Sequence, residues 1–125
     1  MKDIKTIGII GLGALGTMYA TLLTQSLGKE RVLVLADRER TERYRRDGMW
    51  YNGERCDLNY TDAASVKEPV DVLLFAVKYT GLPDAIETCR HLVGPETTLI
   101  SILNGISSEE LLVDAFGPDG VVWCM

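Results

Sequence analysis

The stretch IGIIGLGALGTMYA, residues 7–20, runs as an apolar strand, breaks into glycines and resumes at the spacing of a helix. Thr6 to Ile10 is rich in β-branched residues and almost wholly apolar, the pattern of a strand buried on both faces. From Ala14 to Leu27 the residues Leu15, Met18, Tyr19, Leu22 and Leu23 recur at helical spacing, and Gly28 stands where a helix-ending glycine belongs. Between strand and helix lie Gly11, Gly13 and Gly16. Each glycine costs roughly 0.5–1 kcal/mol relative to alanine inside regular structure, so this cluster needs a reason. A glycine-rich turn without a ligand is one. The other is the spacing Gly11-x-Gly13-x-x-Gly16 itself, which at the end of a strand and the start of a helix is the dinucleotide-binding pattern. In that reading Gly11 permits the tight turn, Gly13 lets a pyrophosphate approach the backbone, and Gly16 lets the helix pack closely on the strand. The helix N-terminus adds free N–H groups and a partial positive charge. Gly11, Leu12, Gly13, Ala14, Leu15 and Gly16 are thus the expected pyrophosphate-binding segment.

The rest of the chain supports that reading. RVLVLAD (31–37) is a second strand, and RERTERYRRDG (38–48) is a charged, solvated helix ending at a glycine. MWYNGERCDL (49–58) carries Asn52-Gly53, a hairpin turn signal. VDVLLFAV (70–77) is a third apolar strand, a helix covers 83–93, and TTLISIL (97–103) is the next strand. SSEELLVDAF (107–116) opens with Ser107 and Glu110 at capping-box spacing, and GVVWCM (120–125) is a last strand. Strands alternating with helices predict an α/β fold: an open, doubly wound parallel sheet of Rossmann type, with a small hairpin inserted after the second helix.

The end of the second strand bears on the choice of nucleotide. An acidic residue there, such as Asp37, accepts hydrogen bonds from ribose hydroxyls and favours NAD, whereas an arginine, such as Arg38, favours the 2′-phosphate of NADP. Residues 38–46 hold five Arg against two Glu in a chain of net charge −5. A solvated helix face explains Arg43, Arg45 and Arg46, but Arg38 sits at the strand end, and NADP is the expected cofactor. Two further strand ends converge on the same crevice. AVKYTG places Lys78 there, suited to a phosphate, and ILNG places Asn104, whose amide can both donate and accept toward a nicotinamide or a substrate carbonyl. Singly, each could be a solvated lysine or an ordinary Asn-Gly turn.

Composition narrows the class further. With 125 residues, 46% hydrophobic and 25% charged, the chain is expected to be one globular domain. Its negative charge argues against non-specific nucleic-acid binding, and its apolar runs are too short for a bilayer span or a signal peptide. Cys56, Cys89 and Cys124 are odd in number and widely spaced, which argues against a disulfide framework or a metal site and for the cytoplasm. No second motif member accompanies the cysteines, and His91 lies within a helix, so these read as structural rather than catalytic residues.

Taken together, IGIIGLGALGTMYA, the strand-end arginine of LADRER, DVLLFAVKYTGLPDAIE and TTLISILNGISSEELL resemble the N-terminal domain of the ketopantoate reductase (2-dehydropantoate 2-reductase) family. The glycine loop is shared with many dehydrogenases; the VK strand end followed by LNG and a helix is much more specific. The resemblance covers nearly the whole chain. It implies NADPH-dependent reduction of a 2-keto acid to a 2-hydroxy acid, in pantothenate biosynthesis, with a homodimer as one assembly. By position, Gly11 to Gly16 would hold the pyrophosphate and Arg38 the 2′-phosphate. Lys78 would contact the adenosine side, and Asn104 would sit near nicotinamide and substrate as the catalytic-site residue. The family's catalytic lysine lies in a helical C-terminal domain, so residues 1–125 are expected to be the dinucleotide-binding domain, inactive alone. Two other readings stay open: a nucleotide-sensing Rossmann module, and the cofactor domain of another two-domain hydroxy-acid or sugar dehydrogenase.

Overall fold

The computed structural model describes residues 4–102 and 106–122. Six strands form one parallel sheet in the order β5-β2-β1-β6-β7-β8, comprising β1 (Ile7–Ile10), β2 (Val32–Ala36), β5 (Asn59–Asp62), β6 (Val72–Phe75), β7 (Thr98–Ser101) and β8 (Val121–Val122). β3 (Trp50–Tyr51) and β4 (Glu54–Arg55) make a separate antiparallel hairpin. Its turn residues Asn52 and Gly53 have φ of 53° and 80°, the paired positive values that a two-residue hairpin needs. Four helices connect the strands: α1 (Ala14–Leu27), α2 (Arg38–Asp47), α3 (Leu82–Cys89) and α4 (Ile106–Phe116). The doubly wound sheet with its inserted hairpin is therefore the observed fold.

Alternation along the central strands separates two cores. Ile7 and Ile9, Val32 and Val34, Val72 and Leu74 face one side, where Ala20 and Leu23 of α1 cover them. Ile10, Leu35, Leu73, Phe75 and Leu99 face the other, against Leu82, Ala85, Ile86 and Cys89 of α3 and Leu112 of α4. Burial on both faces is why these strands read as unbroken apolar runs. The Asp71 carboxylate accepts from the amides of Lys5 and Thr6 at 2.7 and 3.1 Å, pinning the residues just before β1 to the start of β6.

Several boundaries differ from expectation for identifiable reasons. β5 falls in NYTD, a segment not expected to be a strand; it lies at the sheet edge, half-buried along its length, and lacks an apolar run. α3 ends at Cys89 and passes into a 3₁₀ turn over Arg90–Leu92, where one long helix was expected. α4 begins at Ile106, so Ser107 falls in its first turn and not at the capping position. Glu109, in the same turn, is completely buried.

Candidate functional site

β1 lies between β2 and β6, and the chain leaves it in opposite directions along the sheet, so the crevice at its carboxyl end is the switch point where ligands bind in such folds. Two of the three loop glycines are demanded by the fold itself. Gly11 has φ of +103°, and a Cβ there would lie 2.7 Å from the backbone of Ala76 and Val77 just past β6. A Cβ on Gly16 would lie 2.0 Å from the Gly11 carbonyl oxygen. Gly13 is different: its φ is −75°, open to any residue, and a Cβ there would meet nothing within 4 Å. Neither backbone conformation nor protein packing explains this glycine.

Gly13 is also the N-cap of α1. The first helical hydrogen bond runs from the Thr17 amide to the Gly13 carbonyl, at 2.9 Å, and no side chain caps the helix. The amides ahead of Thr17 therefore lack the intrahelical partner that later residues have. Acidic residues stand in the first turns of α2, α3 and α4 (Glu39, Asp84 and Glu109), whereas α1 has none. Among the described residues nothing caps its positive end, which suits an anion.

A cavity of about 320 Å³ opens beside this loop. Gly11 and Ile10 of the first strand end, Asp37 of the second, Arg40 and Tyr44 of α2, and Asp84 and Thr88 of α3 contribute to its wall. The Asp37 carboxylate caps α2, accepting from the Arg40 amide at 2.8 Å. Arg38, the first residue of α2, is exposed and turns along the helix to Glu42, with Nε 3.3 Å from Oε1. Lys78 is exposed just beyond β6, and its carbonyl accepts from the Gly81 amide at 2.8 Å. Neither Arg38 nor Lys78 lines the cavity. Leu12 packs against the core on the α1 side, Leu15 is exposed, and Ala14 opens α1. Asn104 lies outside the described residues.

The expectation missed Arg40 and Tyr44, one helical turn apart on the cavity side of α2. The available signal was Asp37 itself: as an N-cap it fixes the phase of the helix and brings the residue three positions on back toward the strand end.

No cysteine or histidine described here is arranged for nucleophilic chemistry. The His91 Nε2 donates to the Ala63 carbonyl at 2.9 Å. The Cys56 thiol accepts from the Thr21 hydroxyl at 3.4 Å. Cys89 is completely buried under α3, and burial pushes its thiol up to about 12. Because the thiolate is the reactive species, iodoacetamide at pH 8 should leave Cys89 unmodified in the folded protein and label it after unfolding in urea, as read by peptide mass. Rapid labelling without denaturant would show that the α3 core opens readily.

A parallel sheet whose first strand ends in a glycine loop feeding an uncapped helix defines a Rossmann-type domain, the class that binds dinucleotides at this edge. Within that class the chain belongs to the ketopantoate reductase family: the model of the family described as Ketopantoate reductase PanE/ApbA matches residues 7–125. The 2-dehydropantoate 2-reductase of Aquifex aeolicus (strain VF5) is 27% identical over 114 residues, covering 91% of this chain and 36% of that protein. The crystal structure of 2-dehydropantoate 2-reductase from Geobacter metallireducens GS-15 is 27% identical with a TM-score of 0.70, over 93% of this chain and 39% of that one. A D-mandelate dehydrogenase in ternary complex with NADH and anilino(oxo)acetate has a TM-score of 0.76 at 21% identity, over 93% of this chain and 39% of that one, a likeness of fold. The chain thus spans a little over a third of the length of these relatives.

Proposed function

We propose that this chain is the NADP(H)-binding domain of an oxidoreductase that reduces a 2-keto acid such as 2-dehydropantoate to the 2-hydroxy acid. The observation that carries it is Gly13, a glycine required by neither backbone nor packing at the mouth of an uncapped helix. That is the signature of a backbone approached by something other than protein, and the residues present fit a pyrophosphate. Gly11 to Gly16 would hold it, with the leading amides of α1 as donors. The cavity between α2 and α3 would take the adenosine half, with Lys78 at its margin. Asn104, three residues beyond Ser101 in the sequence, is assigned to the nicotinamide and substrate. When bound, the nicotinamide supplies a hydride to the keto carbon.

The family membership and the 2-dehydropantoate 2-reductases among its relatives support the keto-acid substrate. Residues 1–125 are read as the cofactor domain, with the family's catalytic lysine contributed from a C-terminal domain. No described helix is long and apolar enough to cross a membrane, and the proposed setting is the cytoplasm. The proposed assembly is a homodimer, as in the dimeric ketopantoate reductase of Staphylococcus aureus.

Two measurements on the chain test this reading. Calorimetric titration should show saturable NADPH binding. Addition of ketopantoate to the NADPH complex should produce no oxidation, because a keto-acid reductase also needs a proton donor and a carboxylate site. Failure to bind either NADPH or NADH would overturn the assignment. Turnover by this chain would relocate the catalytic acid into it.

A further inference from the structure

We propose that Arg40, and not Arg38, is the side chain that selects the 2′-phosphate of the cofactor, with Asp37 as the residue that positions it. The proposal rests on the dinucleotide-binding reading above. Both arginines stand in the first turn of α2, but the helix sends them to different places. Arg38 is 83% exposed and pairs with Glu42 one turn along, away from the cavity wall. Arg40 lines the cavity and is the one cation among the described residues that does so.

Asp37 explains how an acidic strand end can coexist with a phosphate. Its Oδ1 accepts from the Arg40 amide at 2.8 Å, and its Oδ2 lies 3.8 Å from the Arg40 Nε. The carboxylate that would otherwise accept from ribose hydroxyls is engaged at Oδ1 by the helix cap, with the guanidinium beside Oδ2. Arg40 in turn stands at the ribose end of the cavity beside Asp37, its side chain 57% exposed, with N–H groups to fork onto a phosphate. Tyr44, four residues further on, continues the same wall. Facing them, Asp84 and Glu87 add negative charge, and Arg90 pairs with Glu87 at 2.6 Å. Without Arg40 the corner would hold Asp37 and Asp84 and no lining cation, a setting that repels a 2′-phosphate and accepts hydrogen bonds from free ribose hydroxyls.

The test is calorimetric titration of wild type, Arg38→Gln and Arg40→Gln with NADPH and, separately, NADH. Glutamine keeps the stem, and the α2 cap uses the backbone amide of residue 40, so Arg40→Gln retains the fold; its melting temperature checks this. Arg40→Gln should weaken NADPH binding by about 10–100-fold, the loss expected of a charge-assisted contact. NADH binding should stay within about threefold, as should both affinities in Arg38→Gln, the scale of an exposed charge. Arg40→Lys, which keeps a point charge, should restore part of the NADPH preference. A selective NADPH loss in Arg38→Gln with none in Arg40→Gln would overturn the proposal while leaving the dinucleotide site in place. So would a wild type that binds both cofactors equally and a variant that does the same. A wild type that binds neither would overturn both readings.

Discussion

Gly13→Val should retain the fold and lose the nucleotide, whereas Gly16→Ala should cost the fold stability as well. At position 13 the added Cβ meets nothing within 4 Å and φ is unstrained, so the change removes only a modest N-cap preference, about 1 kcal/mol or less. The side chain would stand where the pyrophosphate must come, and NADPH affinity should fall by about 100-fold or more, the worth of charge-assisted contacts to the helix amides. At position 16 the Cβ would sit 2.0 Å from the Gly11 carbonyl oxygen, a backbone atom that cannot swing aside as the end of a side chain can. Relief requires moving α1 off β1, at about 3 kcal/mol or more, or roughly 10 °C in melting temperature. Thermal melts and calorimetric titrations of the two variants separate these effects. Equal destabilisation of both would mean that Gly13 serves packing after all.

The second large effect concerns Asn104 in the two-domain reductase proposed above. An amide beside the reacting carbonyl hydrogen-bonds more strongly as negative charge develops on the oxygen, so its contribution belongs to the transition state more than to cofactor binding. Asn104→Ala should lower kcat/KM by about 10²–10³-fold and change the NADPH dissociation constant far less. Steady-state kinetics beside direct titration distinguish the two. Unchanged turnover would reduce Asn104 to a turn-former ahead of α4.

The parts of the fold legible in the sequence were those where local and tertiary demands agree. α1 runs over Ala14–Leu27, the expected residues, because the glycine loop, the apolar stripe and Gly28 all mark the same ends. The Asn52-Gly53 hairpin forms because only a few residue pairs suit its turn. β5 was missed because an edge strand needs no apolar run; parallel pairing of Asn59–Asp62 with Leu33–Ala36 holds it instead. At the site, the glycine pattern pointed to a crevice without distinguishing a glycine that packing demands from one that packing leaves free. That distinction needs Ala76 and Val77, about 60 residues further along the chain, and long-range approach of backbone leaves no local mark. The choice among arginines depended likewise on helix phase. Arg38 is nearer the strand end in sequence, but Arg40 turns back into the cavity because Asp37 caps the helix.

The most direct test of the dinucleotide site is residue-resolved: amide chemical shifts of the ¹⁵N-labelled chain followed during titration with NADPH. Saturable shifts concentrated at Gly11–Gly16 and at Asp37–Arg40, with smaller ones at Asp84–Thr88, are the predicted result. Shifts confined to the opposite side of the molecule, around Tyr51–Leu58 of the hairpin, would contradict it, as would no shifts at cofactor concentrations that saturate a complete reductase of this family.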